Sequence, residues 1–314
     1  MAGAYIVSKP WTAEHFVDQK LAKILIEEQF PRLAPAQLVF IGEGWDNRVY
    51  RVNDQFLFRF PRRQFGANLV PIERSVLPYL ANRLPLPIPE PLFFGQPTVT
   101  YPWPFLGYNF LTGQSACSAQ LDRAERARLA PSLAQFLKIL HNTPLDDVLG
   151  LGLDYDKHRI LDVPFRVPTA RENILKIKNL GLFTSCDKLL AIIDKLEHVR
   201  DHEPKVVVHG DLYARHLLIG EQRELAGVID WGDLRIVNPA IDLAIVFTFL
   251  PPEAHATFFE VYGPVPQETK QLACLKGLYH NAIILCYAHE IGDQELLTEA
   301  QMAMALIAEV KIIS

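Results

Sequence analysis

The stretch that most constrains this chain is residues 206–242, VVVHGDLYARHLLIGEQRELAGVIDWGDLRIVNPAID. Asp211 follows the apolar run Val206-Val207-Val208, and Asp230 follows Ala226-Gly227-Val228-Ile229, so each carboxylate stands where a buried strand gives way to exposed backbone. Between them Leu217-Leu218-Ile219 reads as a strand, residues 220–224 as a polar turn and 225–229 as the return strand. Folding that hairpin brings Asp211, His216 and Asp230 to one end. A lone loop aspartate mostly caps a turn. Two of them, each behind a strand and with His209 ahead of the first, point to chemistry instead. One carboxylate can orient and deprotonate an attacking hydroxyl, while the imidazole and the other acid hold a divalent cation on nucleotide phosphates.

His209-Gly210-Asp211, His216 and Asp230-Trp231-Gly232 resemble the catalytic loop and metal-binding triplet of kinases. More specifically, HGDLYARH followed by VIDWGDLRIVNPAIDLA is similar to the catalytic segment of the aminoglycoside phosphotransferase family, small-molecule kinases with a protein-kinase-like fold. The resemblance implies an α+β, bilobal architecture with a small antiparallel-sheet lobe, a larger mainly helical lobe and the active site between them. It further implies Asp211 as catalytic base, Asp230 as a Mg2+ ligand, the residue at 216 as a second ligand, and Asp242 as the acid that braces the catalytic loop. His216 stands where aminoglycoside kinases commonly carry Asn, and resembles the macrolide-kinase branch. The likeness is densest over 42–63 and 206–244; elsewhere it rests on element order.

From Leu38 the pattern is extended, with strands over 38–41, 48–52 and 55–60 and turns at 42–47 and 53–54. Gly42 and Gly44 give the first turn backbone that can approach phosphates closely. Alternation sets Leu57, Arg59 and Pro61 on one face of the third strand and Phe56, Phe58 and Phe60 on the other. Arg59 therefore fits a cleft-facing cation, and the resemblance implies that it contacts the α and β phosphates, with Arg62 its competitor; in relatives this position is often Lys. Glu73, on a helix expected over 68–83, follows from the resemblance as the partner that holds Arg59. The proline-rich run 84–91 is extended by necessity. It leads to strands near 92–94 and 105–110 and to a hinge at 110–113. There Phe110, Thr112 and exposed backbone can read the purine edge of ATP or GTP. The expected division is a nucleotide-binding lobe over 1–109, the hinge, and a catalytic and substrate-binding lobe over 114–314.

Helices are expected over 12–29, 120–141, 171–200 with a break at Gly181, from 238 onward, and over 253–261, 267–289 and 294–313, with connection at 146–167. Arg123, Glu125, Arg126 and Arg128 read as a solvated charge cluster. Among later residues His280, His289, Glu290 and Asp293 are candidate cleft groups, for each of which a surface position is the preferred reading. Asp233 faces substrate or closes a turn.

Composition narrows the partners. With 314 residues the chain can build two lobes with cores of their own. A net charge of −5 and a pI near 6.1 argue against nucleic acid and anionic membrane surfaces. Cys117, Cys186, Cys274 and Cys286 lack metal-binding spacing and suit a reducing compartment. The start, MAGAYIVSKPW, lacks the charged-then-apolar form of a secretory signal, and the longest apolar run, 240–250, is too short to span a bilayer, so the expected location is cytoplasmic. The expected reaction moves the γ-phosphoryl group of ATP or GTP, with Mg2+, to a hydroxyl of a small molecule, an aminoglycoside-type antibiotic first. A macrolide, choline, a sugar, or a nucleotide-binding pseudokinase stay open, as does a metal hydrolase built on the same three residues.

Overall fold

Alternation along FLFRFP organises the first of two compact units, residues 1–82 with 88–111; the second comprises 83–87 with 112–314. The computed structural model describes residues 13–44, 46–157, 159–201 and 204–310. Thr12, Trp45 and the end of the expected 294–313 helix lie outside them. The first unit contains helix α1 (Gln19–Gln29), strands β1 (Leu38–Glu43), β2 (Asn47–Val52) and β3 (Phe56–Pro61), helix α2 (Gln64–Ala81), and strands β4 (Pro91–Gly95) and β5 (Phe105–Asn109). The strands make one antiparallel sheet in the order β1-β2-β3-β5-β4. Phe58 and Phe60 are fully buried, Phe58 against Phe93 and Phe60 between Tyr50 and Phe105. Asn53 and Asp54, with φ of 51° and 57°, close the β2–β3 connection in the left-handed region that short polar side chains tolerate.

Glu14, expected near the start of the first helix, instead accepts from the backbone amide of Gln64 at 3.3 Å. That satisfies a free donor at the first turn of α2 and draws this helix to begin ahead of residue 68. The first helix begins only at Gln19, because the Asp18 side chain accepts from the Leu21 amide at 2.7 Å and sets its start there.

The second unit continues with β6 (Gln114–Ser115), α3 (Ala116–Ala119), α4 (Arg123–Arg128), α5 (Ala130–His141), α6 (Leu145–Leu149), α7 (Val163–Asn179) and α8 (Cys186–Leu196). Then come β7 (Val206–Val208), β8 (Leu217–Ile219), β9 (Leu225–Val228), β10 (Arg235–Val237), α9 (Ala240–Thr248), α10 (His255–Tyr262), α11 (Gln267–Ile291) and α12 (Gln294–Glu309). β8 and β9 form the expected hairpin, with β6 along its edge; β7 pairs antiparallel with β10. The Val228 amide donates to the Pro87 carbonyl at 3.0 Å, which ties the short early segment to this unit. The expected helix over 120–141 is two helices, since Pro131 in the first turn of α5 can only open a helix there. The expected connection at 146–167 holds most of α6 and the start of α7. Among the described residues no helix is long and apolar enough to cross a membrane.

Arg126 is not solvated. It is 2 % exposed, and its guanidinium meets both carboxylate oxygens of Glu299 on α12 at 2.7 and 2.6 Å. A fork-to-carboxylate pair of this kind fixes the register of α4 against α12.

Asp242 is completely buried at the first turn of α9. Its Oδ2 accepts from the His209 amide at 2.7 Å and its Oδ1 from the Gly210 amide at 3.0 Å, while His141 Nε2 lies 3.2 Å from Oδ2. Burial alone would raise its pKa; the hydrogen bond and charge of His141, with His209 and its amide, pull it below the ordinary 3.8.

Arg126→Met should lower unfolding free energy by about 3–5 kcal/mol in a urea titration, because Glu299 is left as an uncompensated buried charge. Arg126→Met with Glu299→Leu should recover most of it. Since the Asp242 carboxylate titrates lower folded than unfolded, its stabilisation is present above pH 3.8 and lost as pH falls through the depressed native value. Asp242→Asn should therefore be clearly less stable at pH 7, with the gap to wild type closing below about pH 4 in thermal melts.

Candidate functional site

In the first unit the β3 alternation turns Arg59 away from the aromatic core, and α2 brings Glu73 to it. Arg59 Nη1 lies 3.3 Å from Glu73 Oε2, with side chains 11 % and 6 % exposed. Tyr108 on β5 donates its hydroxyl to the same oxygen at 2.8 Å. Tyr108 is thus both core and brace: its ring is buried and its polar tip holds the acid that holds the arginine. Arg62, the competing cation, is instead engaged with the Gly44 carbonyl at 2.6 Å and with Glu43 at 3.3 Å. Gly42 lies within β1 and Gly44 just beyond it, and a Cβ at either would meet open space, so neither glycine is demanded by its own packing. Phe110 is half-buried, its amide donating to the Gln55 carbonyl at 2.9 Å and its ring 5.6 Å from the Arg51 guanidinium. Thr112 is exposed, at the first position of the long segment of the second unit.

In the second unit β7 delivers the chain into His209-Gly210-Asp211. Gly210 has φ +91°, and a Cβ there would collide with the Asp233 carbonyl, so only glycine makes this turn. The His209 ring is buried and ties two loops together, with Nε2 2.9 Å from the Ile229 carbonyl and Nδ1 accepting from the Asp211 amide at 3.3 Å. Burial depresses its pKa, against the opposing pull of Asp242, and this keeps the ring neutral as both bonds require. Trp231 stacks obliquely beside it, ring centroids 4.8 Å apart, with its indole N–H on the Val228 carbonyl.

The three candidate groups converge. His216 donates through Nδ1 to the Asp211 backbone carbonyl at 2.7 Å, and its Nε2 lies 3.4 Å from Asp230 Oδ2. The Asp211 carboxylate is close by, Oδ2 lying 3.8 Å from His216 Nδ1. Asp230 has φ +64°, a left-handed backbone that a non-glycine residue adopts at a cost and that aims its half-exposed carboxylate outward. Among the described residues no cluster of three or more His, Cys, Asp or Glu forms a closed metal site. An oxygen and a nitrogen donor so placed fit a cation whose remaining ligands are phosphate oxygens and water.

Two residues on α11 complete the surroundings, and neither carries a local motif. His280, expected at the surface, places Nε2 3.2 Å from Asp211 Oδ1. Lys276, one turn earlier, is 3 % exposed. Burial drives the Lys276 pKa down to about 8 against the attraction of Asp211, Asp242 and Asp233. Burial would raise the Asp211 pKa, but the His280 hydrogen bond, with the neighbouring imidazoles and Lys276, holds it well below the usual carboxylate range. Asp233 pairs with Arg235, which also meets Asp156 at 3.2 Å. Asp293, expected at the surface, caps α12 and pairs with Arg215, whereas His289 and Glu290 are exposed.

A model of the phosphotransferase enzyme family, APH, matches residues 37–272. Viomycin phosphotransferase of Streptomyces vinaceus is 25 % identical over 283 residues, spanning 85 % of this chain and 94 % of that protein. Among solved structures, the GDP complex of wild-type aminoglycoside 2'-phosphotransferase-IIIa superposes with a TM-score of 0.68 at 23 % identity, covering 93 % of this chain and 99 % of that one. Macrolide 2'-phosphotransferase type I gives 0.59 at 23 % identity, covering 96 % and 100 %. These neighbours share the kinase-like arrangement of an antiparallel-sheet N-terminal region and a helical C-terminal region. With three quarters of its length matched by the family model, the chain belongs to the phosphotransferase enzyme family, whose members are small-molecule kinases.

Proposed function

We propose that this enzyme transfers the γ-phosphoryl group of ATP or GTP to a hydroxyl of a small molecule, with an aminoglycoside-type antibiotic as the first acceptor to test. The observation that carries the reading is that the carboxylates of Asp211 and Asp230 stand 3.8 and 3.4 Å from the His216 ring nitrogens. Asp211 orients the acceptor hydroxyl and takes its proton as the new O–P bond forms. Mg2+ held by Asp230 and His216 would neutralise charge on the phosphates. Arg59, kept in place by Glu73 and Tyr108, contacts the α and β phosphates with a fork that Lys lacks. The backbone at Gly42 and Gly44 has room to approach the triphosphate, and the base edge is read at 110–113 by the chain around Phe110 and Thr112. In this reading 1–109 bind nucleotide and 114–314 supply catalysis and acceptor binding. Alignment and electrostatic stabilisation provide most of the rate enhancement in such a reaction. Dependence on cellular nucleoside triphosphate, and four cysteines none of which is bridged, support a cytoplasmic setting.

A macrolide acceptor is the second reading, favoured by one feature of charge. Asp156 and Asp233 are engaged by Arg235, Asp293 by Arg215, and α11 adds Lys276 and His280. A polycation gains less from such surroundings than a molecule with a single amine. Phosphorylation assays with labelled ATP and GTP against aminoglycosides, macrolides and metabolic alcohols such as choline and sugars decide between them.

Asp211→Ala should keep Mg2+-nucleotide binding in calorimetry while turnover drops by about a hundredfold or more. Turnover equal to wild type would remove Asp211 as base. Asp230→Ala should weaken Mg2+-dependent nucleotide binding by at least about tenfold, and undiminished binding would remove the proposed cation site.

A further inference from the structure

We infer that His280 is a positioning residue for phosphoryl transfer: its Nε2–H caps Oδ1 of Asp211 and leaves Oδ2, beside His216, to receive the proton of the acceptor. The inference rests on Asp211 being the base and adds which of its oxygens acts and what orients it. A carboxylate only accepts, so the ring nitrogen 3.2 Å from Oδ1 is the one that carries hydrogen. On the other side His216 spends its Nδ1–H on the Asp211 backbone carbonyl at 2.7 Å and stands 3.8 Å from Oδ2, outside hydrogen-bond range. Among the described residues Oδ2 accepts no hydrogen bond, and the Asp211 side chain keeps 29 % of its surface exposed. One oxygen is therefore occupied from α11, and the other is open on the side where His216 turns its second nitrogen toward Asp230.

Tyr213 packs against both histidines. Its ring is edge-on to both imidazoles, with centroids 4.4 Å from His216 and 5.6 Å from His280, so it contacts each of the histidines that bound Asp211. Burial and the Lys276 charge lower the His280 pKa against the pull of Asp211, which favours the neutral ring with one N–H to give. A carboxylate without that anchor rotates about its Cβ–Cγ bond and presents either oxygen, and a misplacement near 1 Å costs about a hundredfold in rate. In the step itself the acceptor hydroxyl oxygen forms its bond to the γ-phosphorus as the bond from phosphorus to the β-γ bridging oxygen breaks. The nucleoside diphosphate departs with that electron pair, and the hydroxyl proton passes to Oδ2.

The test uses the full chain with Mg2+ and GTP or ATP, water serving as the hydroxyl in acceptor-independent hydrolysis, and compares His280→Ala with His280→Gln, whose amide can still donate to Oδ1. The expected result is a kcat about ten- to a hundredfold lower in His280→Ala with nucleotide KM within about twofold, and recovery of most of the loss in His280→Gln. Wild-type kcat in His280→Ala, an equal loss in both variants, or a change in KM alone would overturn the inference. A second readout needs no turnover: nitrogen NMR of the imidazoles should show His280 protonated at Nε2, with a signal that moves in Asp211→Asn. A signal indifferent to that substitution overturns the contact. The parent reading fails separately: if Asp211→Ala hydrolyses like wild type, the base assignment is lost, whereas an inactive Asp211→Ala beside a fully active His280→Ala removes only the role of His280.

Discussion

The catalytic segment depends on one buried carboxylate. Asp242 accepts the consecutive amides of His209 and Gly210, which are left without strand partners because β7 ends at Val208. Those two bonds decide the direction in which the chain leaves the strand, and hence where Asp211 emerges. His209 carries the constraint further by joining the Asp211 amide to the Ile229 carbonyl, one residue before Asp230. The Ile229 amide in turn donates to the His216 carbonyl at 2.9 Å. Asp211, His216 and Asp230 are therefore linked through backbone groups rather than through one another's side chains. Backbone groups thus set where these side chains stand, which is the preorganisation that a charged site requires.

The same logic recurs in the first unit with different parts. An arginine only 11 % exposed on a strand face needs a counter-charge, and Glu73 supplies it. Glu73 is itself buried and needs a donor beyond the arginine, which Tyr108 supplies. A chain of groups, each satisfying the next, leaves the terminal cation oriented without requiring it to be neutralised by solvent.

What the sequence made legible follows from range. Asp211, His216 and Asp230 were readable because a short hairpin alone carries them together, and the face of Arg59 because alternation is strictly local. Glu73 came through family likeness, since an exposed glutamate on a helix would look the same. His280, Lys276 and Tyr108 were not readable in their actual settings. What places His280 against Asp211 is the packing of α11, and no residue near either one announces it. Arg126 failed for a related reason: its neighbours Arg123, Glu125 and Arg128 give the composition of a wet face, and only the distant Glu299 makes burial tolerable. Glu14 shows the smaller version, a capping residue whose beneficiary is a helix much further along.

The segment 83–87 has a consequence for dissecting this enzyme. Because Pro87 receives the Val228 amide, the hairpin that carries Asp230 borrows an acceptor from chain laid down before β4 and β5 are made. Severing the polypeptide at Leu111 would not yield two self-sufficient halves. The downstream fragment would start life with an orphaned donor two residues from Asp230, and complementation in trans would have to restore five residues as well as a partner.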